Sequence, residues 1–195
     1  IVTAAHNFFD EQRHLPSPLP HCYFRTKAHP GRKIPLVFEP GHYRIGSTFW
    51  DASRDYAIVG LAQPVHGVVP LQFAAPPAAG SEVILISAEA SFARKRIDTS
   101  KPVARVCTVR KTFSPLGSAN SFFRGDCDTS AGDSGGIYLM RRSGHLVAVG
   151  LHHGGGLPQA NGLSYDDNTW DNGRKSYSLG IGFGPVILND FGAVH

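Results

Sequence analysis

Glycine and proline break this chain so often that no long helix can be written through it. Its 195 residues include 22 Gly and 14 Pro, residue types that supply turns and are rejected by helix interiors. Between the breaks lie short runs of β character: Ile1 to Ala5, Cys22 to Arg25, Ile34 to Phe38, Ala57 to Leu61, Glu82 to Ile86, Val103 to Val109, Gly136 to Met140, Leu146 to His152 and Tyr177 to Phe183. Pro16-Ser17-Pro18, His29-Pro30-Gly31, Pro76-Pro77 and Asn161-Gly162 punctuate them. No segment sustains a 3.6-residue apolar period, and only Pro185 to Phe191 is expected to form a helix, a short terminal one opened by proline. The rhythm predicts an all-β chain built as a sandwich or barrel. Pro64 to Gly80, rich in Pro, Ala and Gly, reads as a crossing between two β units. The expected division is residues 1–66, a crossing at 67–80, and residues 81–195.

The length allows one large domain or two small ones, each with a real core. A formal charge of +4 raises the question of nucleic acid, but the basic residues are scattered apart from Arg94-Lys95-Arg96 and Arg141-Arg142. Without interleaved aromatics or a recognition motif, no nucleic-acid partner is expected. The longest apolar run, Val83-Ile84-Leu85-Ile86, is far too short to span a bilayer, and the first residues lack the three regions of a signal peptide. The chain as given reads as soluble. Cys22, Cys107 and Cys127 lack the paired spacing of a zinc site. One disulfide plus an odd thiol is the simplest reading, with three reduced thiols as the alternative. A Cys107–Cys127 bridge would staple a loop next to Ser134 and imply an oxidising compartment.

Three segments carry chemistry. Gly132-Asp133-Ser134-Gly135-Gly136 sets a serine among glycines, which can adopt positive-φ turns and aim backbone N–H groups at one point. Thr3-Ala4-Ala5-His6 ends an apolar run with two small residues and an imidazole. Asp55 opens the apolar run Tyr56-Ala57-Ile58-Val59-Gly60-Leu61, where desolvation strengthens a carboxylate's hydrogen bond. A serine hydroxyl needs such partners to attack an amide: an imidazole to take its proton and a carboxylate to hold that imidazole in the right tautomer. Taken singly, each segment is equally at home as a surface turn or strand end. In the order His, Asp, Ser they form a set.

The three motifs together resemble those of the trypsin/chymotrypsin-like serine peptidases. The resemblance implies two antiparallel Greek-key β-barrels with the site between them, His6 as base, Asp55 as acid and Ser134 as nucleophile. It implies an oxyanion hole from the N–H groups of Gly132 and Ser134, a protein or peptide substrate, no cofactor and no metal, and secretion or a periplasmic location. A monomer is expected. Cys127-Asp128-Thr129-Ser130-Ala131 and Val149-Gly150-Leu151-His152-His153-Gly154-Gly155 resemble the bacterial branch that includes the glutamyl endopeptidases. In that branch His152, assisted by Thr129, would bind an acidic side chain, and Gly154 and Gly155 would leave a strand edge open to substrate. Asp128, six residues before Ser134, stands where trypsin-like enzymes place the acidic pocket base, so acidic and basic preferences both stay open.

The chain also departs from that pattern. The histidine motif starts at the third residue, so the first barrel is expected to be incomplete at its N-terminus, its upstream strands lying in a longer parent that could also hold the partner of Cys22. Ile1-Val2 looks like a processed terminus but sits in what should be a strand, so Asp133 needs another partner, either an upstream terminus or a local side chain. Asn7 replaces a disulfide cysteine found in many relatives. Asp51 competes with Asp55 as the acid, but only Asp55 directly precedes the apolar strand. His152 and His153 suggest a metal pair, yet no Asp, Glu or Cys lies at ligand spacing nearby. Two other readings remain: a non-catalytic protease-like binding module or inactive fragment, and an α/β-hydrolase drawing on Asp166, Asp167, Asp171 and His195, which lacks the alternating strand and helix pattern.

Overall fold

The computed structural model describes residues 1–9, 22–46, 54–91, 96–114, 120–129, 132–155 and 177–194. Strands dominate, and those expected from the sequence are strands, with two additions. β1 (Val2–Thr3), β2 (Tyr23–Phe24), β3 (Ile34–Val37), β4 (Tyr43–Ile45) and β5 (Ala57–Leu61) make a curled, open sheet. β6 (Glu82–Ser91), β7 (Arg96–Phe113), β8 (Phe122–Gly125), β9 (Ile137–Arg142), β10 (His145–Gly155) and β11 (Ser178–Gly182) close into a barrel in the order β10-β11-β8-β7-β6-β9. The fold is thus an all-β, chymotrypsin-like double barrel whose first member is open. All strand pairs are antiparallel among the described residues.

β4 and β8 escaped the sequence reading because each is short and bounded without a clear apolar run. β6 and β7 run longer than expected, since their pairing continues past the apolar segment to Ser91↔Arg96. The first run also differs: only Val2 and Thr3 are strand, and Ala5–Asn7 form a 3-10 turn. His6 therefore sits on a turn and not at a strand end. The terminal helix α1 (Pro185–Gly192) begins at proline as expected. Among the described residues no helix is long and apolar enough to cross a membrane. Pro16-Ser17-Pro18, Asn161-Gly162, Asp51, Ser130, Ala131, Arg94, Lys95, Asp166, Asp167, Asp171 and His195 lie outside the described residues.

β5 is the hub of the first sheet, pairing with β1, β3 and β4. Ala57, Ile58 and Val59 are buried because neighbours cover both of its edges. Phe8, Phe9, Phe38 and Tyr43 close one side of that sheet through edge and tilted ring contacts. The barrel interior holds Val83, Leu85, Cys107, Val109, Phe123, Cys127, Tyr138, Val147 and Val149. A third apolar cluster joins the two units, packing Ala4, Tyr56 and Ile58 with Leu139, Leu151, Phe183 and Ile187. Tyr56 adds a polar tie, its hydroxyl donating to Asp190 of α1 (2.5 Å). The crossing segment runs against β10, with Ala148 N–H donating to the Gln72 carbonyl and Ala74 N–H to the Ala148 carbonyl. Cys107 and Cys127 are bonded, their Cα atoms 5.0 Å apart, which resolves the cysteine alternatives in favour of one bridge. Closing a loop of that length contributes about 3 kcal/mol in the chain-entropy picture. Cys22 keeps a free thiol.

Candidate active site

The site lies where the first sheet meets the barrel, and a carboxylate is its centre. Asp55, fully buried one step before Tyr56, grips His6 twice: Oδ1 accepts the His6 backbone N–H (2.9 Å) and Oδ2 accepts its ring Nδ1 (2.6 Å). The double contact fixes both the 3-10 turn and the ring it carries. A second imidazole arrives from the barrel, with His153 Nδ1 also 2.6 Å from Asp55 Oδ2. An ionised carboxylate only accepts hydrogen bonds, so both rings carry their hydrogen on Nδ1. Burial pushes the Asp55 carboxyl upward, but the hydrogen bonds and charges of His153 and His6 outweigh it and hold the group well below the usual carboxylate range.

The serine turn is docked against the same cleft. Gly135 N–H donates to the His152 carbonyl (2.8 Å) and His152 N–H to the Gly136 carbonyl (2.7 Å), zipping the turn onto β10. From the first sheet, Asn7 Nδ2 donates to the Ser134 carbonyl (3.0 Å) and to Thr3 Oγ1 (3.2 Å). Two glycines make this possible. Gly132 and Gly135 sit at φ +103° and +84°, and a Cβ on Gly135 would lie 2.1 Å from Thr3 Oγ1. The Ser134 hydroxyl itself faces the His153 carbonyl at 3.4 Å. The structure brings His6 and Asp55 together, while the Ser134 hydroxyl is turned to the backbone carbonyl of His153.

The partner of Asp133 is local. Its buried carboxylate accepts the Ser87 hydroxyl (2.7 Å), and Arg105 Nη1 donates to Ser87 (2.7 Å) while standing 3.6 Å from the carboxylate. The Ile1 amino group instead donates to the Val59 carbonyl (2.7 Å). A cavity of about 320 Å³ opens beside the turn, lined by Ile86, Ser87, Ala88 and Pro102 and by residues 132–137.

The expected specificity residues are spread between interior and rim. His152 is 2% exposed and shares a hydrogen bond with the Tyr138 hydroxyl (2.9 Å) inside the barrel. Burial, followed by the charges of His153, Arg105 and His6, pushes its pKa down to about 3, so the ring is neutral. Thr129 is buried, Asp128 half-buried, and Gly154 and Gly155 lie at the emerging end of β10. Pairing with β9 stops at Leu151, so no described strand covers that edge at Gly154 and Gly155.

His153, Asn7, Ser87 and Arg105 were not assigned these roles from the sequence. His153 meets Asp55 across 98 positions, a separation no spacing rule captures. Arg105 did leave a signal: in β7 the alternation that buries Cys107 and Val109 places it on the same inner face, where a cation requires an anion. The dismissal of an acid near His153 held only along the chain, because the fold carries both Asp55 and His6 to it.

Residues 1–149 match the family described as trypsin-like peptidase domain. No curated protein matches the sequence. Among solved structures, a Glu endopeptidase is 13% identical over 98% of this chain and 79% of its own, with a TM-score of 0.65. The thermostable serine protease AL20 from an extremophilic microorganism is 13% identical over 97% and 81%, TM-score 0.58. A chimeric murine norovirus NS6 protease, in an inactive mutant form, is 16% identical over 94% and 82%, TM-score 0.51. At these identities the likeness concerns the fold.

Proposed function

The chain belongs to the trypsin-like peptidase domain family, and on that premise we propose that it is a serine endopeptidase with Ser134 as nucleophile, His6 as base and Asp55 as the acid that orients the base. The observation that carries the reading is the double grip of Asp55 on His6, which leaves Nε2 of a neutral, Nδ1–H imidazole as a proton acceptor. The reading requires the Ser134 side chain to leave the His153 carbonyl and bring Oγ within hydrogen-bond reach of that nitrogen. Oγ then bonds to the substrate carbonyl carbon as its proton passes to His6, and the N–H groups of Gly132 and Ser134 receive the oxyanion. Collapse breaks the amide C–N bond, His6 returns the proton to the leaving amine, and water hydrolyses the acyl-enzyme by the same steps.

The finer assignments belong to the same proposal. Gly154 and Gly155 offer a strand edge for antiparallel pairing with a peptide, and Asp128, Thr129 and His152 determine the residue preferred on the acyl side. A neutral His152 can donate one hydrogen bond to an acidic side chain, which favours the glutamyl-type choice over the basic one. The Cys107–Cys127 bridge fits an oxidising, secreted or periplasmic setting.

A serine-directed phosphonylating reagent should add one covalent mass to Ser134, and Ser134→Ala should abolish labelling and turnover together. The 3.4 Å contact between Ser134 Oγ and the His153 carbonyl favours the competing reading of a non-catalytic module. A folded chain that resists labelling would establish that reading instead. A substrate panel varying only the acyl-side residue decides specificity, with Glu preference pointing to His152 and Arg preference to Asp128.

A further inference from the structure

We propose that His6, Asp55 and His153 form a binding site for a divalent transition cation of the zinc type, and that the seated ion holds the catalytic site inactive. The inhibitory half rests on the reading of His6 as base; the binding half does not. Asp55 Oδ2 receives two imidazole nitrogens from opposite halves of the molecule, each at 2.6 Å. One ligand atom from each residue lies within 4.8 Å of the others. The rings meet edge to face, their planes 88° apart and centroids separated by 5.8 Å, so they approach the carboxylate from different directions. Two imidazole nitrogens and a carboxylate oxygen with a fourth position left open are a zinc donor set.

The distances suit that ion after a small adjustment. Zinc bonds of about 2.0–2.2 Å in tetrahedral array need ligands about 3.3–3.5 Å apart. Each nitrogen would retreat from the carboxylate oxygen by less than about 1 Å, and the two ring nitrogens, which lie within 4.8 Å of each other, would close by up to roughly 1.5 Å. Asp55 is fully buried, but the His6 and His153 side chains keep 20% and 13% of their exposure, which leaves the cleft as the route of entry and the place for a fourth, water ligand.

Coordination changes what His6 can do. Its Nδ1 and that of His153 each now carry the hydrogen given to Asp55, and the two lone pairs become available only when both hydrogens move through water to the Nε2 of their own rings. Both rings stay neutral and the proton count is unchanged. Nε2 of His6 is then an N–H donor and cannot accept the proton of Ser134. Removing the ion restores the Nδ1–H tautomer and the base.

The test uses the metal-free 195-residue chain titrated with cobalt(II), whose visible absorption becomes intense when its coordination is tetrahedral, followed by displacement with zinc. One equivalent should give the tetrahedral spectrum and be displaced by zinc. His153→Ala and Asp55→Asn should each weaken uptake by about 100-fold or more, whereas His66→Ala, on an exposed histidine, should leave it unchanged. No uptake, a weak octahedral spectrum, or unchanged uptake in His153→Ala overturns the site. The wild-type spectrum decides even if a variant fails to fold. Zinc should also slow phosphonylation of Ser134 at least about tenfold, reversibly with chelator, and equal labelling rates with and without bound zinc overturn the inhibitory role. Absence of labelling in zinc-free protein counts against the peptidase reading, while the cobalt spectrum still decides the site.

Discussion

The two halves of the molecule hold their site residues by different means. Among the described residues no strand of the first sheet exceeds five residues, and β1, β3 and β4 all pair with β5. The second half is a closed barrel with one strand of 18 residues and a disulfide between β7 and the segment after β8. Closure joins every strand of the barrel to two neighbours, so its geometry is set by its own ladder. The proposed base and acid come from the weaker unit, and the proposed nucleophile from the stronger one. The contacts crossing between them, Asp55 to His153 and Asn7 to Ser134, therefore carry an alignment that the first sheet cannot impose alone.

Replacing the shared acid should have the largest effect. Asp55→Asn keeps the shape but presents an amide where three N–H groups now meet a carboxylate, so His6 loses its tautomer. A loss of about 10⁴ in kcat is expected, with KM little changed. Kinetics on a peptide substrate check this, and a loss below about tenfold would mean that His6 is oriented by something other than Asp55.

Arg105→Ala probes the barrel side. It strips the buried Asp133 carboxylate of the Arg105 cation while the Ser87 hydroxyl stays in place, which should cost about 3–5 kcal/mol of stability. Urea unfolding followed by hydrogen exchange measures where the loss falls. Protection should drop in β6, β7 and β9 while β5 changes little, and equal loss in β5 would show that the two halves unfold as one unit.

Much of this organisation was readable in the sequence, for reasons that mark its limit. Ala57 to Leu61 is a complete strand because five apolar residues in succession suit a position buried on both sides, and Pro185 opens a helix because its fixed φ suits a first turn. His6, Asp55 and the Gly132 to Gly136 turn stood out because their chemistry needs local companions. His153 and Ser87 did not, since their roles come only from the carboxylates they meet across the fold. β4 and β8 were missed because pairing with their neighbours, and not their own three or four residues, makes them strands.

The buried imidazole of His152 gives the barrel a pH dependence. Its folded pKa of about 3 lies below the unfolded value near 6.5, so the unfolded chain binds the extra proton first as pH falls. Its contribution to stability is fully present above the unfolded pKa and is lost as pH drops toward about 3, at a slope of up to about 1.4 kcal/mol per pH unit. His152→Gln should flatten unfolding free energy between about pH 6 and roughly 4 relative to wild type. An unchanged slope would mean that the ring is protonated in the folded barrel.

The smallest expected effect is the most direct measure of how the halves are joined. Asn7→Ala removes the amide that donates to the Ser134 carbonyl and to Thr3, at a position where Gly135 has no side chain to fill the gap. The bond is solvent-accessible and neutral, so stability should fall by only about 1 kcal/mol. Catalysis should suffer more than stability, because the lost bond holds the backbone of the proposed nucleophile, and displacement of a reacting group by about 1 Å can cost about 10²-fold in rate. The decisive comparison sets Asn7→Ala beside Asn7→Asp, which keeps the shape but offers an acceptor to an acceptor. If both lower kcat while KM stays near wild type and stability falls by no more than about 1 kcal/mol, the cross-sheet bond aligns the serine. If kcat is unchanged in both, the barrel alone holds Ser134 in place, and the first sheet contributes its histidine and aspartate without steering the serine.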